Sequence, residues 1–215
     1  MARAEAALPE PRAARLRIGV LASQGDFAAH AAVLRALDAE PVEIRTPEGL
    51  RDLDGLVLPG GESTTISKAI ERDRLAPSIR IHVEAGRPLL GTCAGMIVCD
   101  RDHLGLVDVS ARRNAFGRQI ASFETELEVK GIGPEPFRAV FIRAPWIQEL
   151  GDDVEVLATV DGHPVAVREG RVVLCAFHPE LTDDSRVHAL LMALATSARQ
   201  RGDVEERGAR SGEGA

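Results

Sequence analysis

Short apolar runs alternate with stretches whose apolar residues recur at helical spacing. Residues 16–22 (LRIGVLA), 42–45, 54–58 (DGLVL) and 88–90 are too short for buried helices and read as buried strands. Residues 27–37, 63–70 and 79–85 carry the helical spacing between them. This β–α alternation predicts a parallel sheet covered by helices. The rhythm then changes. Residues 125–130, 139–142, 154–160, 164–168 and 172–177 are strand-like, with short turns at Asp161-Gly162 and Glu169-Gly170. They predict antiparallel hairpins packed onto or joined to the first sheet. A helix over 187–199 closes the pattern, and 103–123 reads as mostly loop. The expected fold class is therefore α/β: three layers, a mostly parallel central sheet, helices on both faces and an antiparallel extension.

The two ends break this pattern. Residues 1–15 are rich in Ala, Arg, Glu and Pro, and 201–215 are polar and Gly-rich. Neither can bury much apolar surface, so both are expected as disordered extensions of one domain at 16–200. A hydrophobic content of 45% over 215 residues suits one core. With only 3% aromatics, that core must be built mainly from Ala, Val, Leu and Ile. The net charge of −7 argues against general nucleic-acid binding. No apolar run approaches the roughly 18 residues of a membrane span, and the first residues lack the apolar segment of a secretory signal. The cysteines, at 93, 99 and 175, show no repeated spacing. That disfavours a disulfide framework or a zinc site and points to a reducing, cytoplasmic setting. No metal or cofactor is expected.

Candidate chemistry concentrates where strands end. Gly91-Thr92-Cys93-Ala94-Gly95 follows an apolar strand and precedes Met96, Ile97 and Val98. This is a nucleophile-elbow arrangement with Cys at its centre. A sharp strand-to-helix turn lifts the nucleophile out, and the glycines relieve crowding. The same five residues also suit a Gly-rich turn around a buried, inert Cys. His178-Pro179-Glu180 directly follows the strand at 172–177. A thiol nucleophile needs a base, and the base needs an orienting acceptor. In extended backbone Glu180 lies on the same side as His178; a solvated surface turn is the bland alternative. Pro59-Gly60-Gly61-Glu62-Ser63-Thr64-Thr65 also joins a strand end to a helix start. Ser63 or Thr64 suits the helix cap, and the loop suits a carboxylate or an oxyanion, but it lacks the Lys of a phosphate-binding loop. Cys99 and Cys175 sit among apolar residues and read as core. His30, His82, His103, His163 and His188 have no evident partner in sequence.

Together these motifs resemble the class I, triad-type glutamine amidotransferases, and more narrowly the glutaminase subunits of pyridoxal 5′-phosphate synthases. The resemblance spans about residues 16–198. GTCAG at 91–95 and HPE at 178–180 carry the wider class. PGGEST at 59–64, RRNAFGRQ at 112–119 and FIRAPWI at 141–147 carry the narrower one. It implies a flavodoxin-like fold and a triad of Cys93 as nucleophile, His178 as base and Glu180 as its orienter. It also implies an oxyanion hole from Gly61 and Ala94, and glutamine held by Gly61, Glu62, Ser63, Arg113, Ile142 and Arg143. An Arg at such a site suits the substrate carboxylate. The implied reaction is hydrolysis of L-glutamine to L-glutamate and ammonia through a cysteine thioester, without a metal. The implied partner is a separate synthase subunit in a large hetero-oligomer, which takes the ammonia and activates the glutaminase on docking. The loop Ser23-Gln24-Gly25-Asp26 matches a region near that interface. The segment 99–103 is shorter than the family pattern, and Ala22-Ser23 replaces a more usual Gly-Leu. Two other readings remain at this point: another cysteine-dependent acyl hydrolase or peptidase on a related α/β fold, and a non-catalytic docking module.

Overall fold

The computed structural model describes residues 15–23, 27–113, 115 and 122–212, with backbone alone beyond 202. The expected extension at 1–15 lies outside them apart from Arg15, as do Gln24, Gly25 and Asp26 and most of the RNAFGRQ motif.

A seven-stranded sheet forms the centre, in the order β2 (Glu40–Ile44), β1 (Arg17–Leu21), β3 (Gly55–Leu58), β4 (Leu89–Thr92), β11 (Val172–Cys175), β10 (His163–Glu169), β9 (Glu155–Val160). The first five strands are parallel, and β10 and β9 complete the sheet antiparallel. The parallel part has the 2-1-3-4-5 order of doubly wound folds. Strands β1, β3, β4 and β11 are almost wholly buried. Their continuous apolar runs reflect a sheet covered on both sides.

The covering helices follow from the winding. The chain moves one way from β1 through α1 (Phe27–Ala36) to β2. It moves the other way from β3 through α2 (Ser63–Arg72) and α3 (Ala76–Glu84) to β4. Right-handed crossovers in opposite directions place α1 and the α2–α3 pair on opposite faces. The closing helix α5 (Arg186–Gly212) joins α1, touching it through His188 and His30. It continues past the Arg199 end that periodicity suggests, to Gly212. Arg199 anchors α5 through Asp54, whose carboxylate also accepts the Arg17 N–H.

The second half holds two further antiparallel pairs: β6 (Ser122–Leu127) with β7 (Phe137–Ile142), and β5 (Val109–Arg112) with β8 (Trp146–Leu150). Strand β5 lies within the stretch expected to be loop, and β8 has no counterpart in the sequence reading. Both are short, and β8 has one buried position, so neither presents an apolar run. Phe137, Phe141 and Phe177 pack together, with ring centroids 5.4 and 5.7 Å apart around Phe177. The backbone N–H of His178 donates to the Val140 carbonyl at 2.9 Å. Strand β7 is thereby tied to the chain leaving β11.

Candidate active site

Topology brings the three motifs together. Strands β3, β4 and β11 are adjacent and parallel, so the loops after Leu58, Thr92 and Cys175 leave the same edge side by side. These loops carry Gly61–Ser63, Cys93–Ala94 and His178. In open α/β sheets ligands bind at this edge.

Cys93 has φ 48° and ψ −107°, a left-handed conformation that non-Gly residues adopt only when the surroundings enforce it. Its N–H donates to the Cys175 carbonyl at 2.8 Å, which pins the turn to β11. The short helix α4 (Ala94–Cys99) follows at once. Gly95 permits this geometry. A Cβ there would lie 2.0 Å from the backbone oxygen of Leu58, so only glycine lets α4 cross so close to β3. The side chain of Cys93 is buried apart from a small exposed remnant in the cleft, and Sγ lies 3.8 Å from the Ile142 carbonyl.

His178 and Glu180 meet, though not as extended backbone predicts. Residues Pro179–Leu181 form a 3-10 turn, and this turn brings Glu180 Oε1 to 2.7 Å from His178 Nδ1. Both side chains are buried. Burial pushes the His178 ring pKa down, but hydrogen bonds with Cys93 and Glu180 and their negative charge push it up further, to about 10. The ring is thus biased towards its protonated form beside the Cys93 sulfur. Gly60 presses on the same ring: a Cβ there would sit 2.5 Å from His178 Cε1.

The cleft in front of Cys93 has a volume of about 320 Å³, at the lower end of the roughly 300–1,000 Å³ usual for small-molecule sites. Gly61, Glu62, Ser63, Cys93, Ala94, Arg113, Ile142, Arg143 and His178 line it. Of the residues expected to form the triad, the oxyanion hole and the glutamine site, all except Glu180 border the cleft, and Glu180 stands behind His178. Ile97 and Pro145 also line it; the sequence reading did not single them out. Arg143 has φ 45° and Gly61 φ 136°, so both loops are conformationally restricted. Arg113 donates to Thr64 Oγ1 at 2.9 Å. The cap of α2 belongs to neither Ser63 nor Thr64. The Glu62 carboxylate accepts the N–H groups of Thr64 and Thr65 at 3.1 and 2.7 Å. Hydrogen bonds from Thr65 and Thr64 lower its pKa to about 2. Side-chain acceptors are favoured at this position because the first helical N–H groups lack partners.

All five histidines without an evident partner in sequence are engaged. His30 pairs with His188, His82 with the Pro88 carbonyl, and His103 with Asp100. His163 stacks on Trp146, with ring centroids 3.6 Å apart. Among the described residues there is no cluster suited to a metal ion and no helix long and apolar enough to cross a membrane.

The chain as a whole is similar to known proteins. The model of the SNO glutamine amidotransferase family matches residues 20–196. A pyridoxal 5′-phosphate synthase subunit PdxT of Halorubrum lacusprofundi is 56% identical over 188 residues, covering 81% of this chain and 95% of the relative. Its namesake in Frankia alni is 50% identical, covering 85% and 96%. A crystal structure of a glutamine amidotransferase superposes with a TM-score of 0.79 at 45% identity, covering 83% of this chain and 98% of that one.

Proposed function

Because the chain belongs to the SNO glutamine amidotransferase family, we propose that it is the glutaminase subunit of a pyridoxal 5′-phosphate synthase, releasing ammonia from L-glutamine for a partner synthase subunit. The observation that carries this reading is the buried Cys93–His178–Glu180 constellation opening onto a small cleft with Arg113 and Arg143 at its rim. The relatives named above supply the partner.

The chemistry follows from the atoms. Cys93 Sγ, as thiolate, attacks the side-chain amide carbon of glutamine. The negative charge moves to the amide oxygen, which the N–H groups of Gly61 and Ala94 stabilise. His178 gives its proton to the departing nitrogen, and ammonia leaves a thioester behind. Water then attacks the thioester carbon while His178 takes its proton, and glutamate and the free thiolate result. Glu180 holds the His178 ring throughout and compensates its charge. Arg113 or Arg143 pairs with the substrate α-carboxylate, with Glu62, Ser63 and Ile142 shaping the remainder of the cleft. No metal or cofactor enters, and the three free cysteines suit the cytoplasm.

The test is ammonia release from glutamine with and without the synthase subunit. Wild type is expected to turn over strongly only with the partner. Cys93→Ala is expected to abolish turnover while still docking. Full partner-activated turnover by Cys93→Ala contradicts the nucleophile assignment. Turnover of esters or peptides in preference to glutamine favours a different cysteine hydrolase.

A further inference from the structure

Behind the triad lies a second, wholly buried polar array. Glu180 uses Oε1 for His178. Its other oxygen, Oε2, is buried and has no full hydrogen bond among the described residues. His30 Nε2, from α1, lies 3.3 Å from that oxygen and 3.3 Å from Thr92 Oγ1, the residue preceding the nucleophile. His30 Nδ1 lies 2.9 Å from His188 Nε2 on α5. His30 and His188 are completely buried.

The tautomers follow from the array. If His188 Nε2–H donates to His30 Nδ1, then His30 Nε2–H points between Glu180 Oε2 and Thr92 Oγ1. Thr92 Oγ1 is then the hydrogen-bonded partner of His30 Nε2, Glu180 Oε2 stands at the same 3.3 Å as an ionic neighbour without a full hydrogen bond, and the lone pair of His188 Nδ1 faces no donor. The opposite tautomers bury an N–H of His188 without an acceptor and set a bare His30 lone pair against a carboxylate. Both features are costly. Burial, then the neighbouring His188 and His178, lower the His30 pKa, and burial lowers that of His188, so both rings are neutral. The nearby Cys175 thiol is also neutral, because burial and the charges of Glu180 and Cys93 push its pKa up. A neutral donor suits this place, because a second imidazolium would compete with His178 for the Glu180 charge.

We propose that His30 is a positioning residue of the active site: backed by His188, it directs its Nε2–H at Glu180 Oε2 and so fixes the carboxylate that orients His178. The array runs from α5 through α1 to the nucleophile. It rests on the glutaminase reading only for its effect on turnover, since alkylation of Cys93 reports the triad without glutamine.

The test compares His30→Gln, whose amide N–H reaches the place of Nε2, with His30→Asn, which reaches only the place of Nδ1. His30→Leu removes both. Two readouts are taken on the full-length chain: the pH profile of Cys93 alkylation by iodoacetamide, followed on the Cys93 peptide, and kcat and KM for glutamine with the synthase subunit. His30→Asn and His30→Leu are expected to slow alkylation at neutral pH and lower kcat by roughly tenfold or more, with KM nearly unchanged and the acid limb of the alkylation profile displaced. His30→Gln is expected to recover most of both. Equal behaviour of His30→Gln and His30→Asn, or an unmoved alkylation profile in both, overturns the proposal. If His30→Leu does not fold, the Gln–Asn pair still decides. If wild type releases no ammonia with the synthase, the glutaminase reading fails while the alkylation arm still judges His30.

Discussion

Gly60 offers a way to damage the site by a single methyl group. Its backbone is not in the left-handed region, so alanine can adopt it without strain. The added Cβ would nonetheless stand 2.5 Å from His178 Cε1 and 3.2 Å from Nδ1. Ordinary contacts begin near 3.4 Å, so the ring or the loop must give by about 1 Å. The ring cannot yield freely, because Glu180 holds Nδ1 at 2.7 Å and the side chain is buried. A misplacement of about 1 Å in a reacting constellation can cost on the order of 100-fold in rate, or about 2.7 kcal/mol of barrier. Gly60→Ala is therefore expected to lower partner-activated glutaminase kcat by roughly two orders of magnitude, with the melting temperature moved by only a few degrees. Gly95→Ala provides the contrast. Its Cβ would meet the backbone oxygen of Leu58 at 2.0 Å, so it is expected to disrupt the fold itself. A Gly60→Ala protein with kcat within threefold of wild type, or one whose activity loss merely tracks lost stability, refutes the argument that this glycine exists to seat the His178 ring.

Acid should destabilise the protein through its buried neutral histidines. Burial lowers His82 and His188 to a pKa of about 4, against about 6.5 when unfolded. The unfolded chain takes up their protons first, so this stability is complete above pH 6.5 and lost as pH falls towards 4. It amounts to about 3 kcal/mol for each ring at the low end. His178 has a raised pKa, so its contribution is complete below pH 6.5 and is lost as pH rises towards 10; it adds no slope in the acid window. Urea midpoints that stay flat from pH 6.5 to 4 would exclude this account. Asp54→Ala should leave the Arg17 N–H and the Arg199 guanidinium without their shared carboxylate, costing about 2–3 kcal/mol. In a domain this size that is a fall of roughly 5–10 °C in Tm, and a change below 1 °C by calorimetry would show that the contact does not anchor α5.

What sequence shows here depends on whether a feature repeats or converges. Strands β1, β3, β4 and β11 are buried on both faces, so each writes a continuous apolar run, and the loops after them can be placed at one edge before any coordinates are known. Cys93, His178 and the Gly60–Gly61 turn were legible for that reason. Contacts between distant segments were not. His30 and His188 meet across 158 residues, and nothing in the spacing of either announces the other. Glu180 reaches His178 through a 3-10 turn, so a correct pairing was reached from the wrong local geometry. The stretch after α4 makes the same point. Asp100, within that stretch, is almost fully buried. Its carboxylate accepts the N–H groups of Asp102 and Ala111 at 3.0 and 3.3 Å and pairs with His103 at 2.6 Å. Those contacts end α4 at Cys99 and turn the chain into β5 without a longer helix. A buried carboxylate is costly unless its donors converge. Here the donors come from the following turn and from the start of β5, so the short segment is intelligible only once β5 is in place.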